Sequence, residues 1–437
     1  MKVNLNIFKM PKGAIWLLPG LEVKRWFVLL IIGTIVSVIG LCIVLNLRPV
    51  YFLIKIIMKA AQTLPSDIIG YLFILAGAVL FFIGWQKTNY SILDTKDNRN
   101  SNEVLEDLYR RRKLNRGPKI VAIGGGTGLS TMLKGIKQLT NNITAVVTVG
   151  DDGGSSGRLR HDLGVLPPGD IRNCIAALAD DEDLVTKLFQ YRFKTGEGLE
   201  GHSFGNLFLS ALCAITGDMV RAVKESSKVL SIRGRVLPAT LDDMRLVATM
   251  EDGSIVEGES NIPESGKKIV KMGTIPSDCK ALEDVITAIH NADLIILGPG
   301  SLFTSVIPNL LVKEIAEAVI NSNAKRIYVC NMMTQPGETD GFSVSDHLRT
   351  IMEHVGGKKI VDAVLVNDVL PQSIIEKYKS AGSTEVILDR ENVEKLGVSI
   401  YQKHIINDET QLVRHAPRKL AKAIYYWFRR QERAGKK

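Results

Sequence analysis

KIVAIGGGTGLS, residues 119–130, is the stretch on which the fold turns. An apolar, partly β-branched run, Lys119–Ile123, leads straight into Gly124-Gly125-Gly126-Thr127-Gly128, and an amphipathic helical pattern follows over Leu129–Leu139. A short continuous apolar run is the mark of a strand buried on both faces. Glycines lack a Cβ, so their N–H groups can approach a phosphate, and the helix N-terminus adds a favourable dipole. Thr127 and Ser130 offer hydroxyl donors. The dinucleotide fingerprint would need its last glycine where Leu129 stands, and no GK[ST] of a Walker loop is present. The expectation is therefore a phosphate loop of neither standard type.

Working outward, similar runs occur at Ile143–Val149, Asp293–Leu297, Arg326–Cys330, Asp362–Val366 and Glu385–Leu388, bounded by Gly, Asp or Asn. Helical patterns lie between them, at Asp170–Leu178, Asn206–Ala214 and Leu310–Ile320. This alternation predicts an α/β fold with a doubly wound, mostly parallel, Rossmann-like sheet over residues 117–437. Val236–Ser260, with its Glu251-Asp252-Gly253 turn, reads as an antiparallel hairpin insertion.

Several polar turns should meet at the carboxyl ends of these strands, where ligands bind in open α/β sheets. After Ile143–Val149 comes Gly150-Asp151-Asp152-Gly153-Gly154-Ser155-Ser156-Gly157-Arg158. Asp151 and Asp152 are candidates for holding ribose or Mg²⁺, and they are the candidate catalytic residues. Arg158 and Arg172 would neutralise phosphate charge. Asp170, in Pro167-Pro168-Gly169-Asp170-Ile171-Arg172-Asn173, suits a helix N-cap as well as a ligand contact. In Gly201-His202-Ser203-Phe204-Gly205-Asn206, His202 reads as a base, a phosphate contact or a structural group, and Asn206 as a contact or an N-cap. Gly298-Pro299-Gly300-Ser301 again suits phosphate or ribose.

The N-terminal quarter differs. Trp26–Asn46 and Ile68–Trp85 carry no charge, and the first would span about 30 Å as a helix. Between them Val50–Ala61, broken by Lys55 and Lys59, reads as an interfacial amphipathic helix. Lys and Arg number five before the first run, three between the runs and nine over residues 86–119. The expectation is a hairpin of two transmembrane helices with both ends cytoplasmic. It would follow a short tail (1–25) and precede a charged linker (86–116) with a helical turn around Val104–Arg112.

The formal net charge of +9 gathers largely beside these runs, and no motif of a nucleic-acid fold is present, so nucleic acid is not expected as a partner. Five widely spaced cysteines show neither a zinc pattern nor a disulfide framework. A homo-oligomer is expected, since parallel-sheet domains often pair.

IGGGTGLS (123–130), TVGDDGGSSGRLR (148–160), PPGDIRN (167–173), GHSFGNL (201–207), LGPGSLFTSVIPNLL (297–311) and CNMMTQPGETDGFS (330–343), in this order, resemble the CofD-like family, and more closely its bacterial gluconeogenesis-factor branch. The resemblance covers about residues 117–430. It implies one of two activities. The 2-phospho-L-lactate transferases of the family use a guanosine diphosphate-linked donor, a deazaflavin acceptor and Mg²⁺. The gluconeogenesis-factor branch is tied to cell shape, gluconeogenic growth and cell-wall precursor supply, and binds UDP-sugars such as UDP-N-acetylglucosamine. By the same resemblance Lys377, Tyr378 and Arg414 fall at positions linked to UDP-sugar binding, and cell-wall synthesis proteins are implied as partners. The N-terminal hairpin departs from the soluble forms of the family.

Overall fold

The computed structural model describes residues 23–44, 48–61, 66–93, 112–180, 183–407 and 413–434. The chain divides into two compact units, Met1–Lys113 and Leu114–Lys437.

In the first unit three helices stand where the apolar runs lie: α1 (Val23–Val44), α2 (Arg48–Ala61) and α3 (Ser66–Leu93). α3 continues through Gln86–Leu93, into what the sequence suggests is linker. Among the described residues the longest apolar helical stretches here are Ile31–Leu41 and Ile74–Gly84, and no single helix is long and apolar enough to cross a membrane. The N-terminal tail up to residue 22 and most of the expected turn at Val104–Arg112 lie outside the described residues.

The second unit is built on a seven-stranded sheet of order β10-β9-β8-β7-β1-β2-β3, every neighbouring pair parallel. The strands are β1 (Ile120–Gly124), β2 (Ile143–Val147), β3 (Arg235–Pro238), β7 (Leu294–Leu297), β8 (Lys325–Val329), β9 (Ala363–Asn367) and β10 (Ser399–Lys403). β1, β2 and β7 are buried along their whole length, as their continuous apolar runs require. Strand order reverses between β1 and β7, which makes that junction the switch point where the following loops part and leave a crevice.

Helices follow most strands: α4 (Gly126–Ile136), α5 (Gly154–Leu163), α6 (Gly169–Leu178), α7 (Asp183–Gln190), α8 (Phe204–Thr216) and α9 (Met219–Val229). After the short α10 (Asn261–Glu264) come α11 (Glu283–His290), α12 (Ile307–Leu311), α13 (Lys313–Asn321), α14 (Val344–His354), α15 (Gln372–Lys379), α16 (Arg390–Lys395) and α17 (Pro417–Ala434). α4 packs on α6 and α17. Gly135 permits the second contact: a Cβ there would lie 2.0 Å from the Pro417 carbonyl oxygen.

Three expectations need correction. The insertion begins later than Val236, because Arg235–Pro238 pairs in parallel with β2 as an edge strand of the main sheet, and it holds three strands rather than two: β4 (Arg245–Met250), β5 (Ile255–Glu257) and β6 (Ile269–Ile275), in the order β5-β4-β6. Glu385–Leu388 forms no strand; Glu385 makes one isolated bridge to Met333, and the place beside β9 belongs to β10. The helix expected over Leu310–Ile320 is broken at Val312, whose ψ of 100° is extended.

Candidate functional site

The loops after β1 and β7 meet at the switch point. The Gly298 N–H donates to the Ile123 carbonyl at 2.9 Å, and the Asn309 side-chain amide donates to the Gly124 carbonyl at 3.1 Å. Gly128 abuts the second loop so closely that a Cβ would lie 2.6 Å from the Pro299 carbonyl oxygen. Gly300, with φ +158°, keeps its backbone near Gly125 and Ser305, where a Cβ would lie 3.1 Å from Ser305 Cβ.

A cavity of about 610 Å³ opens there, lined by Gly125–Gly128, Pro299–Ser301, Asp151, Asp170, Glu259, Asn331–Pro336, Tyr378, Ser383, Val413 and His415. The Gly-rich turn, the acidic turn and the Gly298–Ser301 turn thus share one crevice. The first amides of α4 have no intrahelical acceptor. One of them, on Gly126, is taken by the Asp170 carboxylate; the next two belong to Thr127 and Gly128, which line the cavity.

The charge on this wall is negative. Burial and the neighbouring Asp151 push the Asp170 carboxyl up to about 6, against the pull of the Gly126 N–H and Arg172. Glu259, which the insertion delivers after β5, is pushed well above the usual carboxyl range, first by burial and then by Asp151, Asp170 and Asp152. It holds its proton and shares a hydrogen bond with Asp151. Asp152 is turned elsewhere: it accepts from the Ser260 N–H at 3.0 Å and the Ser260 hydroxyl at 2.8 Å, tying the acidic turn to the insertion. The adjacent aspartates therefore face different partners, and among the described residues no three acidic, histidine or cysteine side chains form a metal-binding group.

Most of the other residues singled out from sequence lie apart from the cavity. Ser130 donates to the Thr127 carbonyl at 3.0 Å, within its own helix turn. The N-cap of α8 is Ser203, not Asn206: Ser203 accepts from the Asn206 N–H. Asp170 sits within the first turn of α6, whose N-cap is Pro168. Asn206 donates to Ser155 Oγ at 3.0 Å, and Ser155 Oγ lies 3.0 Å from His202 Nδ1. Arg172 donates to Ser203 Oγ at 2.5 Å and to Asn173 Oδ1 at 2.9 Å, and Arg158 donates to the Glu200 carbonyl at 2.8 Å. Arg158, Arg172, Asn173, His202 and Asn206 thus form a second polar neighbourhood around the turn before α8.

At the cavity, the Tyr378 hydroxyl accepts from the Val413 N–H at 3.1 Å. Arg414 is exposed, while its neighbours Val413 and His415 line the wall. Burial pushes the His415 imidazole down to about 4, so it is neutral, and its Nε2 is buried with no hydrogen-bond partner. Sequence reasoning named no site residue at His415, at Glu259 or in the segment after β8, although that segment is among the motifs that carry the resemblance. In that segment Asn331 donates to the Gly300 carbonyl at 2.9 Å and Gln335 to Ser301 Oγ at 2.6 Å. Asn331–Pro336 could have been found by the rule that located the other turns, since it follows the carboxyl end of a parallel strand. Glu259 carries no such local signal.

The family described as 2-phospho-L-lactate transferase CofD matches residues 120–406. A relative from Nostoc is 53% identical over 420 residues, covering 94% of this chain and 92% of its own. A Clostridium acetobutylicum relative is 46% identical over 421 residues, covering 94% of this chain and 90% of its own. The protein of Bacillus subtilis named gluconeogenesis factor is 48% identical over 308 residues, covering 70% of this chain and 97% of its own. A crystal structure of a Bacillus halodurans protein, 48% identical, superposes with a TM-score of 0.69 over 71% of this chain and all of that one.

Proposed function

The chain belongs to the CofD family, and on that premise we propose that it is a gluconeogenesis factor that binds a nucleotide sugar of the UDP-N-acetylglucosamine type. The observation that carries this reading is the glycine-walled cavity at the β1/β7 switch point. The Thr127 and Gly128 amides at the start of α4 would hold the diphosphate. Tyr378, Ser383 and His415 would contact the base or the sugar, and neutral His415 offers a lone pair to an N–H or O–H of the ligand.

Negative charge beside a diphosphate needs a cation. Mg²⁺ is usually held by one or two carboxylates together with phosphate oxygens. Asp151 and Asp170 fit that donor set, since each lines the cavity and Asp151 is close enough to raise the cost of ionising Asp170. Asp152, bound to Ser260, does not. When bound, Mg²⁺ would offset phosphate charge. Glu259 would remain protonated beside Asp151 and limit the repulsion that a third carboxylate adds.

The role that follows is regulatory: sensing precursor supply for the cell wall, with consequences for cell shape during gluconeogenic growth. The first unit would hold the protein at the membrane as a two-helix hairpin. In support, its apolar side chains stand exposed within that unit, Val36 by 62% and Leu80 by 70%. The Nostoc and Clostridium relatives, aligned over 94% of the chain, extend into this region, whereas the Bacillus subtilis protein aligns over 70%. The full chain is expected in the membrane fraction after carbonate washing; recovery in the wash would remove the anchor.

Calorimetric titration with UDP-N-acetylglucosamine and Mg²⁺ tests the ligand. Saturable heat is expected, and silence at millimolar ligand would refute the reading. A second reading, Mg-dependent transfer from a nucleotide diphosphate-linked donor, is favoured by the carboxylates beside the cavity and by the family description. It requires nucleotide release from uridine or guanosine donors that Asp151→Asn abolishes.

A further inference from the structure

The turn before α8 collects positive charge. The Arg158 guanidinium donates to the Glu200 carbonyl at 2.8 Å, Arg192 donates to the Gly201 carbonyl, and Arg172 donates to Ser203 Oγ at 2.5 Å. An isolated antiparallel bridge joins Arg192 to Ser203. Two glycines make room for the guanidinium arms. A Cβ on Gly201 (φ +80°) would lie 2.8 Å from Arg158 Nη2, and one on Gly205 would lie 2.7 Å from Arg172 Cδ. Three side chains from α5, α6 and the segment after α7 thus converge on the Glu200–Asn206 turn.

Among the described residues no carboxylate forms an ion pair with Arg158, Arg172 or Arg192. The Nε of Arg172 is buried without a partner. The Arg172 guanidinium is held below its ordinary pKa by burial first and by Arg192 second; the opposing pull of Asp170 and Asp151 is weaker. Like charges brought together in this way cost stability unless an anion joins them.

Asn206, Ser155 and His202 adjoin the arginines, and Asn206 Oδ1 is buried without a hydrogen-bond partner. Ser155 Oγ accepts from the Asn206 side-chain amide at 3.0 Å and lies 3.0 Å from His202 Nδ1. Burial first, and then the Arg158 charge, lower the His202 pKa. Guanidinium forks match the tetrahedral oxygens of phosphate bidentately.

We infer that Arg158, Arg172 and Arg192, set around the Glu200–Asn206 turn, form a second binding subsite that takes the phosphoryl group of a small phosphomonoester. The residues are distinct from those lining the nucleotide cavity. The two sites are joined through α6, where Asp170 reaches Gly126 and Arg172, two residues on, reaches Ser203. They are also joined at Gly169, where a Cβ would lie 2.4 Å from Ser156 Oγ and 2.8 Å from Asp151 Oδ2. The carboxylates thus stand between a site for a diphosphate and a site for a second anion. The subsite stands on its own residues, whatever occupies the cavity.

The test uses the full chain, titrated with glycerol 3-phosphate, inorganic phosphate and acetate by calorimetry and by ³¹P line broadening. Arg158 and Arg192 are exposed, so Arg158→Gln/Arg192→Gln should keep its melting temperature. In that variant the glycerol 3-phosphate Kd should rise about tenfold or more, while the UDP-N-acetylglucosamine Kd changes less than about twofold. Gly128→Ala should do the reverse. The inference is overturned by an unchanged phosphomonoester Kd in the arginine variant, by no binding at about 10 mM phosphomonoester, or by acetate binding as tightly. It is also overturned if Gly128→Ala alone abolishes phosphomonoester binding. Failure of the nucleotide reading shows separately, as absent UDP-N-acetylglucosamine heat in the unaltered chain.

Discussion

Two polar neighbourhoods are joined through α6, and they carry opposite charge. One is walled by glycine backbone and by Asp151, Asp170 and Glu259; the other surrounds a single turn with Arg158, Arg172 and Arg192. Each holds like charges at close range, and in each burial and repulsion displace ionisation from its ordinary range. α6 supplies a member to both, Asp170 to the first and Arg172 to the second, yet the two side chains bond in different directions. A fold that spent its charges on stability would pair them with one another. Their separation instead marks two places where charge is held ready for a ligand.

The largest expected effect is that of Gly128→Ala. The new methyl would meet the Pro299 carbonyl at 2.6 Å, and both partners are backbone, so the β1 and β7 loops would have to part. Nucleotide-sugar affinity should fall by about 100-fold or more, and stability by about 1–3 kcal/mol. Calorimetry and a melting curve measure the two. If affinity survives, the cavity is not the nucleotide site and the contrast between the neighbourhoods loses one side.

Asp151→Asn should come next. With Asp151 neutral, Mg²⁺ would lose one of its two carboxylates, and the affinity gained on adding Mg²⁺ should fall about tenfold. Equal affinities with Mg²⁺ and with EDTA in the unaltered chain would instead leave the carboxylates without a cation to hold.

The pH dependence of the acidic neighbourhood has a definite sign. Glu259 and Asp170 keep protons in the folded chain at pH values where the unfolded chain releases them. The folded state binds more protons, so stability falls as pH rises: through the interval from about 4 to about 6 for Asp170, and on into the alkaline range for Glu259. Glu259→Gln keeps the shape and removes the second contribution. Its melting temperature should decline less than that of the unaltered chain between about pH 5 and about pH 9, and should lie above it at the alkaline end. Parallel curves would mean that Glu259 is not clustered with Asp151.

How much of this was legible in the sequence follows from range. The Gly124–Gly128 turn, the acidic turn and Gly298–Ser301 were readable, because each places its chemistry within a few residues of a buried apolar strand. That they share a crevice followed from parallel topology alone. β3 and β10 escaped notice because they are edge strands: Ser399–Lys403 is only half buried and mixes Tyr and Ile with Gln and Lys. Glu259 was hidden because its partners, Asp151 and Asp170, are about a hundred residues away, and its role comes from the insertion folding back. Asp151 and Asp152 looked alike in sequence; only Ser260 separates them. The arginines were read as phosphate ligands beside the acidic loop, whereas Arg158 and Arg172 bond to a turn about fifty residues downstream of it, a partner that no local spacing announces.

The smallest effect tests how firmly the cavity wall is built. Tyr378 reaches the site from α15, and its hydroxyl accepts the Val413 N–H at 3.1 Å, tying α15 to the segment that carries Arg414 and His415. Tyr378→Phe deletes that acceptor and leaves the ring in place. A half-buried backbone donor without its partner should cost about 1 kcal/mol of stability. If the tie also positions His415 for the ligand, nucleotide-sugar affinity should drop a few-fold, while phosphomonoester binding at the arginine turn stays as it was. The comparison between the two Kd values matters more than either alone: a change in both would mean that α15 supports the whole carboxyl edge of the sheet, and a change in the first alone would confine its influence to the glycine-walled cavity.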